Sequence, residues 1–170
     1  KETTLKTLGN NSNTPMNYKI FQDVLYNGKA TVTNGAFKIS FILPKDINYK
    51  YGFGRIQMYA NTHDKTTDAV GVSSKFIIGG TQLNPIVDRT PPIINAYLNG
   101  TEFQNGGSVS LNPILHVSLK DESGININTS AVGHEITAKL DGKTTYILND
   151  FISPTIDDSK LINVKYQLQG

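Results

Sequence analysis

Short segments in which apolar and polar residues alternate recur along the chain, and they constrain its fold more than any other feature. In residues 36–44, the apolar side chains Phe37, Ile39 and Phe41 are separated by single polar residues. A period of two places alternate side chains on opposite faces of a strand, so this pattern is typical of a strand with one buried face. Comparable segments follow at short intervals through both halves of the chain. The chain is therefore predicted to be all-β.

Three dipeptides mark tight turns between such segments. Asn27-Gly28 and Asn34-Gly35 each stand between two alternating segments, and Asp141-Gly142 does the same in the second half. Asn-Gly and Asp-Gly favour type I′ turns, because both central residues of that turn need a positive φ. The first two turns lie close together and predict a meander of three antiparallel strands.

One segment of the second half indicates which side chains form a core. In residues 114–120, Leu115, Val117 and Leu119 alternate with a second set that includes His116 and Ser118. The leucine and valine set is the expected core face. His116 is expected on the opposite, polar face.

Length and composition favour two β-sandwich domains. The 170 residues are 38% apolar and 18% charged, and much of the remaining polarity comes from Asn, Thr, Ser and Gly, which suit strands and turns. Immunoglobulin-like sandwiches have about 100 residues, with short strands and frequent turn signals. We predict two tandem immunoglobulin-like β-sandwich domains at residues 1–82 and 93–170, joined by a Pro-rich linker at residues 83–92.

Charge and cysteine content exclude several classes of function. The 16 basic and 14 acidic residues give a net charge of +2 and are scattered, which disfavours nucleic acid and anionic lipid as partners. Cysteine is absent, so the chain supplies no disulfide, thiolate nucleophile or cysteine-ligated zinc. No apolar run approaches the about 18 residues of a membrane span, and the first residues lack the apolar core of a signal peptide.

Catalytic motifs are missing from the sequence. The three histidines, His63, His116 and His134, are too far apart for a helix-borne metal motif, and neither HExxH nor GxSxG occurs. We therefore predict no catalytic residues and no cofactor. Because triads can assemble from distant positions, a hydrolytic site between the two domains stays open as an alternative, and it would need two histidines and an acid to converge.

Two loops hold the oxygen ligands that calcium prefers. The first carries Asp64 and Asp68, and the second carries Asp121 followed by Glu122. Neither loop has the spacing of an EF-hand. These aspartates are candidates for a calcium site, with the alternative that their side chains cap the turns in which they lie.

Tyrosine is the most frequent aromatic residue, with eight copies, and Tyr49 and Tyr51 flank a loop that ends in glycines. An exposed row of tyrosines on a sheet would bind sugars or proteins, because the rings are rigid and stack well. The alternative is that the tyrosines fill the cores. Tryptophan, the usual sugar platform, is absent.

The order of several segments resembles one protein family. These segments are NGAFKISFILPKDINYKYGFGRIQMYA, DAVGVSSKFIIGG, PPIINAYLN, LKDESGIN and VGHEITAKLDG. They cover nearly the whole chain. Their succession, more than any single segment, resembles the non-catalytic region C-terminal to the peptidase domain of the PorU-like sortases of the type IX secretion system, which are gingipain-like cysteine peptidases of Bacteroidetes.

The resemblance implies a location and a role. Members of the family sit on the extracellular face of the outer membrane, remove the C-terminal sorting signal of secreted cargo and help attach that cargo to surface lipopolysaccharide. Their catalytic Cys and His have no counterpart in this chain. The region is therefore expected to be inactive by itself and to contact its own peptidase domain, the secretion machinery or cargo. The resemblance also implies that strands are trimmed from both ends.

A second hypothesis belongs to a different class of function. The same predicted sandwich pair would suit a carbohydrate-binding or adhesive module of another bacterial surface protein. Clustered aromatic side chains on one exposed sheet face would favour this hypothesis over the sortase one.

Overall fold

The fold is all-β in the described part of the chain, as predicted. The structure is a computed structural model, and it describes residues 2–9, 14–21, 24–44, 47, 50–85, 87–128 and 135–169. Within these residues there are twelve strands and a single 3₁₀ turn at Asn149–Phe151. Every pairing between two strands is antiparallel. The helices of the described ranges include none that is long and apolar enough to cross a membrane.

The chain divides into two compact units. The first consists of Lys1–Val24 and Asp46–Pro85, and the second consists of Leu25–Lys45 and Ile86–Gly170. The second boundary between the units, after Pro85, therefore falls inside the predicted linker at 83–92. The domain limits 1–82 and 93–170 stay a prediction, and residues 25–45 group with the second unit.

The first unit contains three separate two-stranded pairings. Strand β1 pairs with β2, β3 with β6, and β4 with β5. The strands are β1 (Glu2–Lys6), β2 (Asn17–Phe21), β3 (Gly52–Phe53), β4 (Ile56–Asn61), β5 (Asp68–Ser73) and β6 (Ile77–Ile78).

The second unit is built on a four-stranded antiparallel sheet and a two-stranded hairpin. The sheet has the order β11-β12-β8-β7, and β9 pairs with β10. Its strands are β7 (Ile93–Leu98), β8 (Ile114–Lys120), β9 (Thr137–Leu140), β10 (Thr144–Ile147), β11 (Ile152–Thr155) and β12 (Asp158–Gln167).

One face of the four-stranded sheet forms the core of the second unit, and it is the face predicted from the alternation in β8. Leu119 pairs with Ile94 of β7 and with Ile162 of β12, so these three side chains share a face. Val117 pairs in the same way with Val164. Leu119, Ile162 and Val164 are 6%, 5% and 2% exposed, which makes them the centre of the core.

The β9–β10 hairpin packs on this apolar face. Tyr146 of β10 contacts Tyr166 of β12, with 5.3 Å between ring centroids, and Phe151 meets the same ring edge-on at 4.7 Å. Leu148, at the end of the hairpin, is 1% exposed. The second unit therefore has two layers, with the apolar side chains of sheet and hairpin facing each other.

The predicted meander at residues 24–44 is only partly confirmed. The turn at Asn34-Gly35 forms, with φ of 52° and 77°, and Thr33 and Ala36 exchange two backbone hydrogen bonds of 2.9 and 3.0 Å. Asn27 and Gly28 do not have the positive φ that a type I′ turn requires. Apart from the isolated bridges at Thr33 and Lys29, residues 24–44 contain no strand.

One side-chain contact and one backbone bridge show how residues 24–44, which we call the 24–44 hairpin, are held. Tyr26 stacks on Phe41 with 4.3 Å between ring centroids, so the two arms run side by side although no ladder joins them. Lys29 forms a parallel bridge with Ile156, beyond the end of β11. The hairpin is thereby attached next to β11 in the second unit.

Two smaller predictions from the sequence are wrong. The alternation in residues 108–111, SVSL, predicts a strand, but the segment contains none. The glycines around Phe53 predict a turn, whereas Gly52–Phe53 forms β3 and the Gly54 amide donates to the Phe76 carbonyl at 3.0 Å. A Cβ at Gly54 would lie 2.2 Å from the Phe76 ring, so the close approach of this ring requires glycine at that position.

Candidate functional site

The polar face of the four-stranded sheet carries the described histidine of the second unit. His116 lies in the middle of β8 and stacks on Tyr97 of β7, with 5.4 Å between ring centroids and 9° between ring planes. Lys165 of β12 pairs with His116 from the other side. Asn95, Ser118 and Asn163 form the next row of the same face. As predicted, His116 lies on the polar face.

The three histidines are distributed over the two units and the undescribed part of the chain. His63 lies in the β4–β5 turn of the first unit, whereas His116 belongs to the second. His134 lies outside the described residues. Among the residues with a described position, no three His, Asp or Glu side chains are grouped so that they could hold a metal ion.

Asp64 caps the turn between β4 and β5. Its carboxylate accepts hydrogen bonds from the Thr62 hydroxyl at 2.5 Å, the Thr66 amide at 3.2 Å and the Thr66 hydroxyl at 2.9 Å. The Thr62 hydroxyl, followed by the two groups of Thr66, lowers the pKa of Asp64, because these donors stabilise the charged carboxylate. Asp68 lies at the start of β5, where it pairs with Asn61. It takes no part in the hydrogen bonds that the Asp64 carboxylate accepts.

Asp121 caps a second turn. Its carboxylate accepts from the Ser123 amide at 2.8 Å, and its carbonyl accepts from the Gly124 amide at 3.0 Å. The Ser123 hydroxyl donates to Asp88 at 2.5 Å and lowers the pKa of that carboxyl. Glu122 pairs with Lys160.

Both loops thus show the turn-capping alternative, in which aspartates satisfy local backbone donors. Calcium at Asp64, Asp68 or Asp121 stays a prediction.

The described tyrosines do not form one exposed row. Tyr49 lies outside the described residues. Tyr51, at 78% exposure, lies beside Gly79 and Gly80, whose positive φ and missing Cβ allow its backbone and hydroxyl to approach closely. Tyr59 is exposed on the β4–β5 hairpin, while Tyr146 and Tyr166 pack in the core of the second unit.

An apolar groove of about 440 Å³ lies between the four-stranded sheet and the β9–β10 hairpin of the second unit. Ile94 and Ala96 of β7 line one side, and Ile136 and Ala138 line the other. Glu135 is the single charged residue among the described residues that line it. This groove could not be predicted from the sequence, because its walls come from segments that are far apart in the chain. The alternation within one segment does not indicate which other segment faces it.

No family model matches the chain, and no curated protein matches it. Among solved structures, the chain is similar to dimeric latent PorU from Porphyromonas gingivalis. The two are 33% identical, with a TM-score of 0.49, over 100% of this chain and 16% of that one. The chain thus spans less than a fifth of that protein. The resemblance predicted from the order of the segments is confirmed, and it rests on the sequence identity, which extends over the whole chain.

Proposed function

We propose that this chain, as a relative of one part of PorU, is a non-catalytic accessory and interaction region of a type IX secretion sortase. The observation that carries the proposal is the 33% identity over the full length of the chain. An alignment that covers the whole chain, and so both units, favours a shared role for the whole region.

The absence of cysteine supports the proposal that the region does no covalent chemistry. A gingipain-like peptidase needs a cysteine thiolate as nucleophile, and the chain has no cysteine. His116 is stacked on Tyr97 with Lys165 alongside, and neither is a serine or cysteine, the nucleophiles that an adjacent histidine activates. Hydrolysis would therefore be carried out by another domain of the same protein, and this region would need neither cofactor nor metal.

We further propose that each unit is an immunoglobulin-like sandwich. The second unit supports this most strongly, because its antiparallel sheet buries Leu119, Ile162 and Val164 under a hairpin layer. Immunoglobulin-like domains have the same two-layer arrangement of antiparallel sheets.

The proposed partners are proteins, namely the peptidase domain of the same chain, the secretion machinery and cargo, at the extracellular face of the outer membrane. Scattered charge and a net charge of only +2 support protein partners over nucleic acid. Short strands with open edges provide backbone groups through which a protein partner could be bound.

The proposal is tested by deleting the segment that corresponds to this chain from the full-length sortase. We expect hydrolysis of a small peptide substrate to persist while removal of the cargo sorting signal is lost. The isolated chain, assayed in parallel, should hydrolyse neither substrate. Unimpaired cargo processing by the deletion variant, or peptidase activity of the isolated chain, would contradict an accessory role.

A further inference from the structure

The hairpin layer covers only part of the core face of the four-stranded sheet. Ile162 of β12, Leu119 of β8 and Ile94 of β7 lie in one row on that face, and they are 5%, 6% and 61% exposed. Ala96, two residues further along β7, is exposed as well. The cover therefore reaches β12 and β8 but leaves the core-facing side chains of β7 open in the groove.

An open strand edge borders the same groove. β9 pairs with β10 on one side, and no described strand pairs with its other side. Ala138 of β9 pairs with Tyr146, whose ring contacts Tyr166 of the sheet, so Ala138 faces the sheet and lines the groove. Paired strands lie about 5 Å apart, and β9 already lies further toward β7 than β10 does. A strand added to β9 would therefore take the next position, over β7.

The order of the strands indicates where along the chain this strand belongs. Immunoglobulin-like sandwiches place strands A, B, E and D in one sheet and C, F and G in the other. The sheet order β7-β8-β12-β11 corresponds to A-B-E-D, and β9 and β10 correspond to C and C′. In that arrangement strand F follows E along the chain and pairs with C. The strand that fits the groove is therefore the one after β12.

The path of the chain after β12 leads to the same edge. The Leu168 amide donates to the Pro113 carbonyl at 2.9 Å, which holds the chain at the end of the sheet where β8 begins. Leu168 and Gln169 line a hollow of about 360 Å³ together with Leu140, the last residue of β9. A chain that continues from Gln169 meets β9 at its C-terminal end, so it would run antiparallel to β9 and along the groove.

We propose that the residues directly after Gly170 form a strand that pairs antiparallel with β9 and fills the groove. This strand F, whose assignment rests on the sandwich fold proposed above, has apolar side chains at every second position, because alternate residues of a strand point to the same face. Those side chains pack on Ile94 and Ala96. The chain spans only 16% of the related PorU chain, so a sortase of that length has further chain from which the strand can come.

Arginine substitutions at two adjacent residues of β7 test the proposal in two versions of the chain. Ala96→Arg places a charge in the groove, whereas Asn95→Arg places one on the opposite face of the same strand and is the matched control. Each substitution is made in the 170-residue chain and in a chain extended by the next about 30 residues of its reading frame, enough for strands F and G.

Thermal unfolding followed by circular dichroism is the first measurement. In the 170-residue chain, both variants should melt within about 2 °C of the unmodified chain, because Ala96 and Asn95 are both exposed. In the extended chain, Ala96→Arg should lower the melting temperature by at least about 5 °C, because strand F would bury an unpaired charge. Asn95→Arg should again have little effect. The unmodified extended chain should melt at a higher temperature than the 170-residue chain.

The fluorescence of the dye ANS, which binds exposed apolar surface, is a second measurement that needs no variant. It should be at least about twofold lower with the extended chain, because strand F covers the groove.

Three outcomes would overturn the proposal. One is an extension that changes neither the dye signal nor the cost of Ala96→Arg. Another is a large loss from Ala96→Arg already in the 170-residue chain, which would show that something else fills the groove. The third is a reading frame with no segment after Gly170. None of these outcomes affects the accessory role, because cargo processing is measured separately on the deletion variant of the full-length sortase.

Discussion

A single carboxylate joins two distant parts of the second unit. Asp157, in the turn between β11 and β12, accepts hydrogen bonds from the Thr31 amide at 2.7 Å and the Thr31 hydroxyl at 2.6 Å. Its own amide donates to the Lys29 carbonyl at 2.9 Å. These three bonds, together with the Lys29–Ile156 bridge, fix the base of the 24–44 hairpin beside the sheet.

The charge of Asp157 makes this attachment dependent on pH. The Thr31 hydroxyl, followed by the Thr31 amide, lowers the pKa of Asp157. Because the folded pKa lies below the unfolded one, the unfolded state binds more protons between the two values. The contribution to stability is therefore complete above the ordinary Asp pKa of about 4 and is lost as pH falls through the folded pKa.

We predict that Asp157→Asn lowers the melting temperature of the chain by a few degrees at neutral pH. The substitution tolerates the positive φ of 59° but removes the charge that strengthens both bonds from Thr31. The difference from the unmodified chain should be smaller at an acidic pH below the ordinary Asp pKa of about 4, where the contribution of the charge is being lost.

Thermal unfolding at the two pH values measures this effect. Asp141→Asn is the matched control, since Asp141 also has a positive φ, of 51°, and its carboxylate accepts none of the hydrogen bonds found among the described residues. An equal loss at both pH values, or an equal loss in the control, would contradict the assignment.

The sequence predicted single residues well where burial alone decides their position. Leu115, Val117 and Leu119 face the core because burial of an apolar side chain lowers the free energy of the folded state. The bond between Thr31 and Asp157 could not be predicted, since it joins residues 126 positions apart and neither residue has a distinctive local pattern.

Among the larger elements, the turns at Asn34-Gly35 and Asp141-Gly142 formed as predicted because their preference is local. Asp141 and Gly142 have φ of 51° and 69°, and the Lys143 amide donates to the Leu140 carbonyl at 2.9 Å. β9 and β10 pair on either side of this turn. A backbone conformation that few residues tolerate is thus specified by two adjacent residues.

We predict that Gly142→Ala destabilises the second unit by about 1 to 2 kcal/mol, the cost of a left-handed conformation for a residue with a Cβ. A Cβ at this position would have no neighbour within 4 Å, so the cost is conformational and not steric crowding by other residues. Gly142→Asn, which tolerates positive φ, should lose clearly less.

Chemical denaturation of the two variants measures the difference in the free energy of unfolding. Equal stability of Gly142→Ala and the unmodified chain would show that the turn conformation is not required for folding.

The prediction of strands in residues 24–44 was wrong. The alternation of apolar and polar residues indicates which side chains share a face, but it does not indicate which strand the segment pairs with. Phe37, Ile39 and Phe41 have the period of a half-buried strand, yet the segment has no ladder beyond the Thr33–Ala36 pair. A ladder needs a second strand in register, and the choice of that strand is made by tertiary structure.

For the whole molecule, the order of segments along the chain indicated the relationship to PorU more effectively than any local motif. The alignment with 33% identity covers the full length of this chain, although it covers only 16% of the PorU chain. The groove at β7 was not predicted, because segments far apart in sequence, from β7 to the β9–β10 hairpin, form it together.

The central proposal is that this chain acts beside a cysteine peptidase domain, and the reading frame that encodes it tests this most directly. The measurement is the sequence to either side of residues 1–170. The proposal predicts that a peptidase domain with a catalytic Cys and His precedes this chain in the same frame. A frame that holds only repeated β-domains and a surface anchor would contradict it and favour a carbohydrate-binding or adhesive module.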